Sequence, residues 1–313
     1  MLATDSTWGY RHLIRIWCDL HHELESEMAL KKTASLLGTA ILALSLSACG
    51  GGSGPAGTTS TAAAVEAAPS GLINAGQLKV CIDPEYAPLE YFSNGSSGEI
   101  IGFDADGARA LASYWGLSPT FQQTAFDGLM PALQAKRCDI LWSGLYTSEA
   151  RLQVADGAKY LNTGPGLIVS AKNKDSIKVA DDLCGKTVAA QNGSANAATV
   201  RALGEKCVQG GKDNINVTEY PKVAETVLAV TNGKSDALVE TDVAIADIVS
   251  KSNSALVPVE GIFPTDTTFG VFTLKGGPLS EPVAKAVKAL ISNGTLTDLA
   301  KKYGLNPDKL VKG

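Results

Sequence analysis

Histidine is nearly absent from this 313-residue chain: His12, His21 and His22 are the only three. Once the N-terminal segment is removed, no Ser-His-Asp triad, Cys-His pair or His-ligated metal site can be built. There is no basic excess and no Lys/Arg cluster, and the net charge is −5, which argues against nucleic acid as a partner. No CxxC pair occurs, so structural zinc is not expected either. Beyond residue 49 no apolar run is long enough to cross a bilayer. Hydrophobic residues make up 45% and charged residues 19%, so the chain can bury a core and is not disordered by composition. Its length suggests two domains.

The N-terminus carries an export pattern. Lys31 and Lys32 precede an uncharged stretch, residues 33–48, that is too short to span a membrane and fits a signal-peptide core. It ends in Leu46-Ser47-Ala48-Cys49-Gly50, which resembles the lipobox of bacterial lipoproteins. The resemblance implies cleavage before Cys49 and a lipid on its sulfur. The alternatives are an ordinary signal peptide or a short buried helix. Met28 stands where such a signal would start, so residues 1–27 are read as an N-terminal extension outside the translated protein and 28–48 as the signal peptide. Residues 49–71 are Gly, Ala, Ser, Thr and Pro with little charge and read as a flexible tether.

Apart from Cys18 and Cys49, four cysteines are left: Cys81, Cys138, Cys184 and Cys207. An even number in an exported chain favours disulfides, with three possible pairings; four buried free thiols are the alternative. From residue 72 onward, strand-like runs alternate with helix-like ones, which implies mostly parallel sheets covered by helices. Leu78–Ile82 and Asp139–Trp142 read as strands. A helix is expected over Asp104–Gly116 with Asp104 as its N-cap, a second over Phe126–Ala135, and a third opening at Ser148. Further helices are expected from Ser194 to about Leu203, from Asp242 to Ser250, and over Glu281–Ser292 and Leu296–Tyr303.

These pieces carry a family resemblance. Leu78-Lys79-Val80 followed by Asp83-Pro84-Glu85-Tyr86-Ala87-Pro88 resembles the opening strand and loop of bacterial amino-acid-binding proteins of ABC importers, solute-binding family 3. Gly102-Phe103-Asp104-Ala105-Asp106, Phe126-Asp127-Gly128-Leu129, Cys138 to Gly144 with Thr147 to Arg151, Asp182 to Val188, and Gly294 to Gly304 are similar to further family segments, in the family's order. The resemblance implies an α/β, two-domain periplasmic-binding-protein fold (type II, Venus-flytrap) with two crossing hinge strands and a ligand between the domains. The crossings would fall near Leu167–Lys172 and Phe269–Leu274, giving one domain of 72–166 plus 268–313 and a second of 167–267. With those boundaries, pairing Cys81 with Cys138 and Cys184 with Cys207 keeps each bridge inside one domain, and is the pairing expected.

The resemblance also implies a binding set. Arg151 matches the family's carboxylate-binding arginine; a guanidinium offers a planar fork for two parallel bonds, and its helix N-terminus also favours an anion. Read alone, Arg151 would be a surface residue paired with Glu149. Ser194, after Gly193, matches the second carboxylate anchor, and plain N-capping is compatible with that role; Asn196 is placed in the same set. Tyr86 and Phe126 match aromatic cleft walls, although Phe126 reads equally well as core. Ser143 and Gly144 match backbone and hydroxyl contacts at a strand end. Asp83 matches the residue that meets a ligand's amine or amide side chain, although Asp-Pro is also a common turn start.

Three positions depart from the family pattern. Thr241 stands where relatives carry an aspartate for the α-ammonium, with Glu240 and Asp242 on either side. Tyr146 replaces a small hydroxyl residue, and Ala195 another hydroxyl. Either a neighbour of Thr241 takes the ammonium, or the ligand lacks one. The expected protein is a monomeric, non-enzymatic receptor, lipid-anchored to the cell membrane and facing the periplasm or cell exterior. It would deliver an amino acid to an ABC permease, with no cofactor and no metal. Two other readings use the same fold. One is a dehydratase of cyclic precursors, with Glu85, Glu90 or Asp83 as acid or base; the other is a sensory module acting through a separate partner.

Overall fold

A computed structural model describes residues 66–312. The signal peptide, Cys49 and most of the expected tether lie outside the described residues. The chain runs β1 (Gln77–Ile82), β2 (Glu85–Tyr86), β3 (Glu90–Phe92), β4 (Ile100–Ile101), α1 (Phe103–Tyr114), β5 (Ser118–Gln123), α2 (Leu129–Gln134), β6 (Ile140–Leu141), α3 (Glu149–Val154) and β7 (Ala155–Thr163). It continues through β8 (Pro165–Ser170), β9 (Thr187–Gln191), α4 (Ala195–Gln209), β10 (Asn216–Tyr220), α5 (Val223–Thr231), β11 (Ala237–Thr241), α6 (Asp242–Lys251) and β12 (Leu256–Val259). It ends with β13 (Thr267–Leu274), α7 (Ser280–Ser292) and α8 (Thr295–Lys302).

Two five-stranded sheets organise these elements, ordered β5-β1-β6-β13-β7 and β10-β9-β11-β8-β12, with a small β2-β3-β4 sheet beside the first. The large sheets are mixed rather than mostly parallel. In the first, β1 runs parallel to β5 and β6, while β13 is antiparallel to β6 and β7. In the second, β9 runs parallel to β10 and β11, while β8 is antiparallel to β11 and β12. The antiparallel members are the strands that carry the chain between sheets. β7 leads through Gly164 straight into β8, and β12 returns to β13. Residues 167–170 therefore lie inside the second sheet, and the first passage is at Gly164 rather than near Leu167–Lys172.

Each lobe has its own core. In the first, Phe103, Ala108, Leu111 and Ala112 of α1 pack with Trp142, Tyr160 and Phe269. In the second, Leu167, Val188, Val200 and Val239 cluster with Cys207. Cys81–Cys138 bridges the first lobe and Cys184–Cys207 the second, each with Cα atoms 5.6 Å apart.

Two expectations fail here for tertiary reasons. Asp104 is not an N-cap: Gly102 is, and Asp104 is the second residue of α1 and fully buried. Its Oδ2 accepts bonds from the Gly144 N–H and the Tyr160 hydroxyl, both at 2.7 Å. Gly102 holds φ 123°, and a Cβ there would lie 2.2 Å from the Leu89 carbonyl oxygen, so only glycine lets α1 start so close to that loop. The last part of the expected tether is also fastened. Glu66 donates its N–H to the Tyr114 carbonyl (3.0 Å), and its carboxylate takes the Tyr114 hydroxyl (2.8 Å) and the Lys285 ammonium (2.5 Å).

Candidate functional site

The parallel strands of both sheets end at the same cleft, where ligands of open α/β sheets gather. From the first lobe, β6 runs into Ser143, Gly144 and Tyr146, and α3 brings up Arg151. From the second, β9 ends at Gln191, α4 begins at Ala195, and β11 ends with Glu240 and Thr241. Tyr86, Phe126, Tyr146 and Arg151 face Ser194, Asn196, Glu240 and Thr241 around a narrow cavity of about 20 Å³, completed by Gly144, Gln191 and Ala195.

Arg151 donates Nη1 to the Tyr146 carbonyl at 3.1 Å and Nη2 across the cleft to the Gly193 carbonyl at 3.4 Å. Its guanidinium lies over the Phe126 ring, 5.8 Å from the centroid. Among the described residues no carboxylate forms an ion pair with it; the alternative pairing with Glu149 is not made. Burial pulls its pKa down to about 10. Opposite, Gly193 takes φ 72°, turning β9 into α4, and Ser194 caps that helix by accepting the Ala197 N–H at 3.1 Å. The N–H groups of Ala195 and Asn196 have no intrahelical acceptor and sit at the positive end of the helix dipole. A guanidinium fork from one lobe thus stands opposite backbone donors from the other, chemistry able to hold a carboxylate.

Beside it lies a polar chain. Thr241 caps α6 by accepting the Ala244 N–H at 3.3 Å and is hydrogen-bonded to the Tyr86 oxygen. The Tyr86 hydroxyl donates across the cleft to Glu240 Oε1 at 2.8 Å, and the Thr241 N–H donates to the same oxygen at 2.7 Å. Since Thr241 Oγ1 accepts from Ala244, its proton is free to go to Tyr86, so all donors point toward Glu240. Burial pushes the Glu240 carboxyl up to about 7. Two buried polar atoms in this region have no hydrogen-bond partner: the Tyr146 hydroxyl and Asn196 Oδ1.

Comparison with known proteins agrees with this geometry. The family model for bacterial extracellular solute-binding proteins, family 3, matches residues 78–306. This chain belongs to that family. The histidine-binding periplasmic protein of Escherichia coli (strain K12) is 29% identical over 234 residues, covering 72% of this chain and 86% of that protein. An ancestral arginine-binding protein bound to arginine superposes with a TM-score of 0.65 at 27% identity, covering 73% of this chain and 98% of the other. An ancestral amino-acid-binding protein described as a precursor of cyclohexadienyl dehydratase gives a TM-score of 0.62 at 28% identity, covering 73% and 95%. The fold is the two-lobed type II fold of these binding proteins, and the relatedness marks an exported solute-binding protein.

Not every expected residue of this solute-binding protein reaches the cavity. Asp83 does not line it: its N–H donates to Ser143 Oγ at 2.9 Å, and its carboxyl is approached by the Phe126 N–H and Lys222. Burial, with Glu85 adding repulsion, pushes that carboxyl up to about 7. Ser143 is fully buried behind the wall, with its hydroxyl donated to Glu90 at 2.7 Å. Gly144 lines the cavity, but its N–H is taken by Asp104. Asp242 faces away: it accepts the Thr163 hydroxyl at 2.7 Å and pairs with Lys309 at 2.5 Å, stitching the Gly164 passage. Gln191 was missing from the expected set, and Glu240 stood in it only as a neighbour of Thr241 that could take the ammonium. Each stands at the carboxyl end of a parallel strand, and that position was the available signal.

Proposed function

We propose that this protein is the extracytoplasmic receptor of an ABC importer and binds an amino acid between its lobes. The supporting observation is Arg151: a half-buried cation without a carboxylate partner among the described residues, facing the α4 N-terminus across the cleft. The ligand's carboxylate would join the two lobes through these groups. Ligand would then favour the closed arrangement because only closure brings both sets of contacts together. Lys222–Glu85 (2.6 Å) and Asn192–Asp127 (2.9 Å) already join the two rims. The closed form would be presented to the permease by a monomer tethered through a lipid on Cys49. That relatives bind histidine or arginine supports an amino-acid ligand without fixing which one.

A thermal-shift screen of ligand-free protein against the common amino acids tests the reading. Ligand at a hundred times its dissociation constant adds about 2.7 kcal/mol, a shift of several degrees. A shift that vanishes in Arg151→Ala supports the assignment; an undiminished shift in that variant refutes it. A second reading, a dehydratase of cyclic precursors, is favoured by the ancestral neighbour and by Glu240, a buried acid held near pH 7 in the cleft. Of the acids expected to serve it, Glu90 lies behind Ser143 and Glu85 pairs with Lys222 at the rim. Product formation from a prephenate-like substrate would favour this reading over transport.

A further inference from the structure

Eleven residues line the cleft cavity, and only two bear formal charge, Arg151 and Glu240. We infer that Glu240 receives the ligand's α-ammonium and that the ligand is an α-amino acid with an uncharged side chain. This rests on the reading of the cleft as an amino-acid site. Thr241, where the family resemblance implies an aspartate, cannot neutralise a cation; its hydroxyl is committed to capping α6 and to Tyr86. Glu240, one residue earlier and one methylene longer than aspartate, is buried at the same strand end and lines the cavity. The Tyr86 hydroxyl and the Thr241 N–H both hold its Oε1, which fixes the carboxylate in place.

Charge complementarity then sets the ligand class. The ligand's carboxylate meets Arg151 and its ammonium meets Glu240, and no other lining residue is charged. A lysine or arginine side chain would enter a small cavity walled by Tyr86, Phe126 and Tyr146 with its charge desolvated and unpaired. Asp83, which the family resemblance assigns to such a side chain, stands outside the lining, with Lys222 beside its carboxyl. Acidic side chains would lack a second cation in the same way. For a neutral polar side chain, the unpartnered Tyr146 hydroxyl and Asn196 Oδ1 supply a donor and an acceptor.

Titration calorimetry on the purified protein, freed of carried-over ligand by unfolding and refolding, tests this. The expected result is tightest binding by an amino acid with an uncharged side chain, with arginine and lysine weaker by about 100-fold. Glu240→Gln should weaken that amino acid by about 30-fold but its 2-hydroxy-acid counterpart by less than about 3-fold. The titratable groups facing Glu240 are the Tyr86 and Tyr146 phenols, both pushed up and neutral at pH 7. Proton release on binding near pH 7, on the order of half a proton, is expected from Glu240 and should persist in Asp83→Asn, which removes the other carboxyl raised to about 7 beside the cleft. The wild type provides this readout, by varying buffer ionisation heat, even if Glu240→Gln does not fold. Tightest binding of arginine or lysine, lost in Asp83→Asn, would overturn the inference. So would equal weakening of amino and hydroxy acids by Glu240→Gln. If no α-amino acid binds and Arg151→Ala changes nothing, the amino-acid reading itself fails, and this inference with it.

Discussion

On the first lobe's side of the cleft, most polar groups bond within that lobe, although Glu90 Oε2, Asp104 Oδ1 and the Trp142 indole nitrogen have no partner. Asp104 takes the Gly144 N–H and the Tyr160 hydroxyl, Glu90 takes the Ser143 hydroxyl, and Ser143 takes the Asp83 N–H. Burial pushes the Glu90 and Asp104 carboxyls upward, and Asp104 adds repulsion at Glu90, so the pair holds a proton near neutral pH. The second lobe's side is built differently. Helix N-termini at Ala195 and Asp242 open onto or beside the cleft, Asn196 Oδ1 has no partner, and Glu240 is reached from the other lobe by Tyr86. One wall is therefore pre-set by a buried network, while the other holds groups whose bonding is completed across the cleft. Pre-setting one wall lowers the ordering cost of binding, and leaving the other incomplete makes closure depend on what is bound.

The largest expected effect concerns the scaffolds. Replacing Cys81 and Cys138 with serine opens a 57-residue loop and should cost about 4 kcal/mol; replacing Cys184 and Cys207 opens 23 residues and should cost about 3 kcal/mol. Denaturant titration under oxidising conditions measures both, and a larger loss in the second lobe would reverse the ranking. Next, Arg151→Ala should weaken ligand binding by about 100-fold, or about 2.8 kcal/mol, with an almost unchanged ligand-free melting temperature. A large drop in that temperature would mean that Arg151 supports the wall rather than the ligand.

The third effect is pH dependence. Asp83 in the first lobe and Glu240 in the second are pushed above their unfolded values, to about 7 each. Between pH 4.5 and 7 the unfolded chain has lost protons that the native state keeps, so ligand-free stability should fall as pH rises, by up to about 3 kcal/mol for each group. Comparing melting curves of Asp83→Asn and Glu240→Gln shows which lobe carries the slope; the Glu90–Asp104 pair leaves a remainder in both. An unchanged slope in both variants would place the dependence entirely in that pair. Smallest is Lys222→Ala, which removes an exposed rim contact with Glu85 and should change affinity by less than about 2-fold. A tenfold loss would make the rim, not the cavity, the principal closing contact.

Much of this was legible in the sequence because capping and patterning are local. Ser194 caps α4 as its position implies, since its acceptor and the Ala197 N–H lie within one turn. Arg151, Tyr86, Tyr146 and Phe126 reach the cavity from motif positions. Asp104 and Asp242 misled for a shared reason. Each stands beside a helix start, where an acid reads as a cap or a cleft residue, but their partners come from elsewhere in the chain. Gly144 and Tyr160 lie 40 and 56 residues from Asp104, and Lys309 lies 67 residues from Asp242. The end of the tether failed likewise: its composition is that of a linker, and Glu66 is held by Tyr114 and Lys285.

By itself, the sequence carried the family resemblance, the order of the two lobes and the place of most helices, because each lies in short local segments. Only the tertiary structure decided which carboxylates face the cleft. Asp83, Glu90, Asp104, Glu240 and Asp242 are all near it in sequence pattern, but burial beside particular long-range donors leaves Glu240 alone in the cavity. A buried carboxylate must have its partners supplied, and where those partners lie is a property of the packed chain.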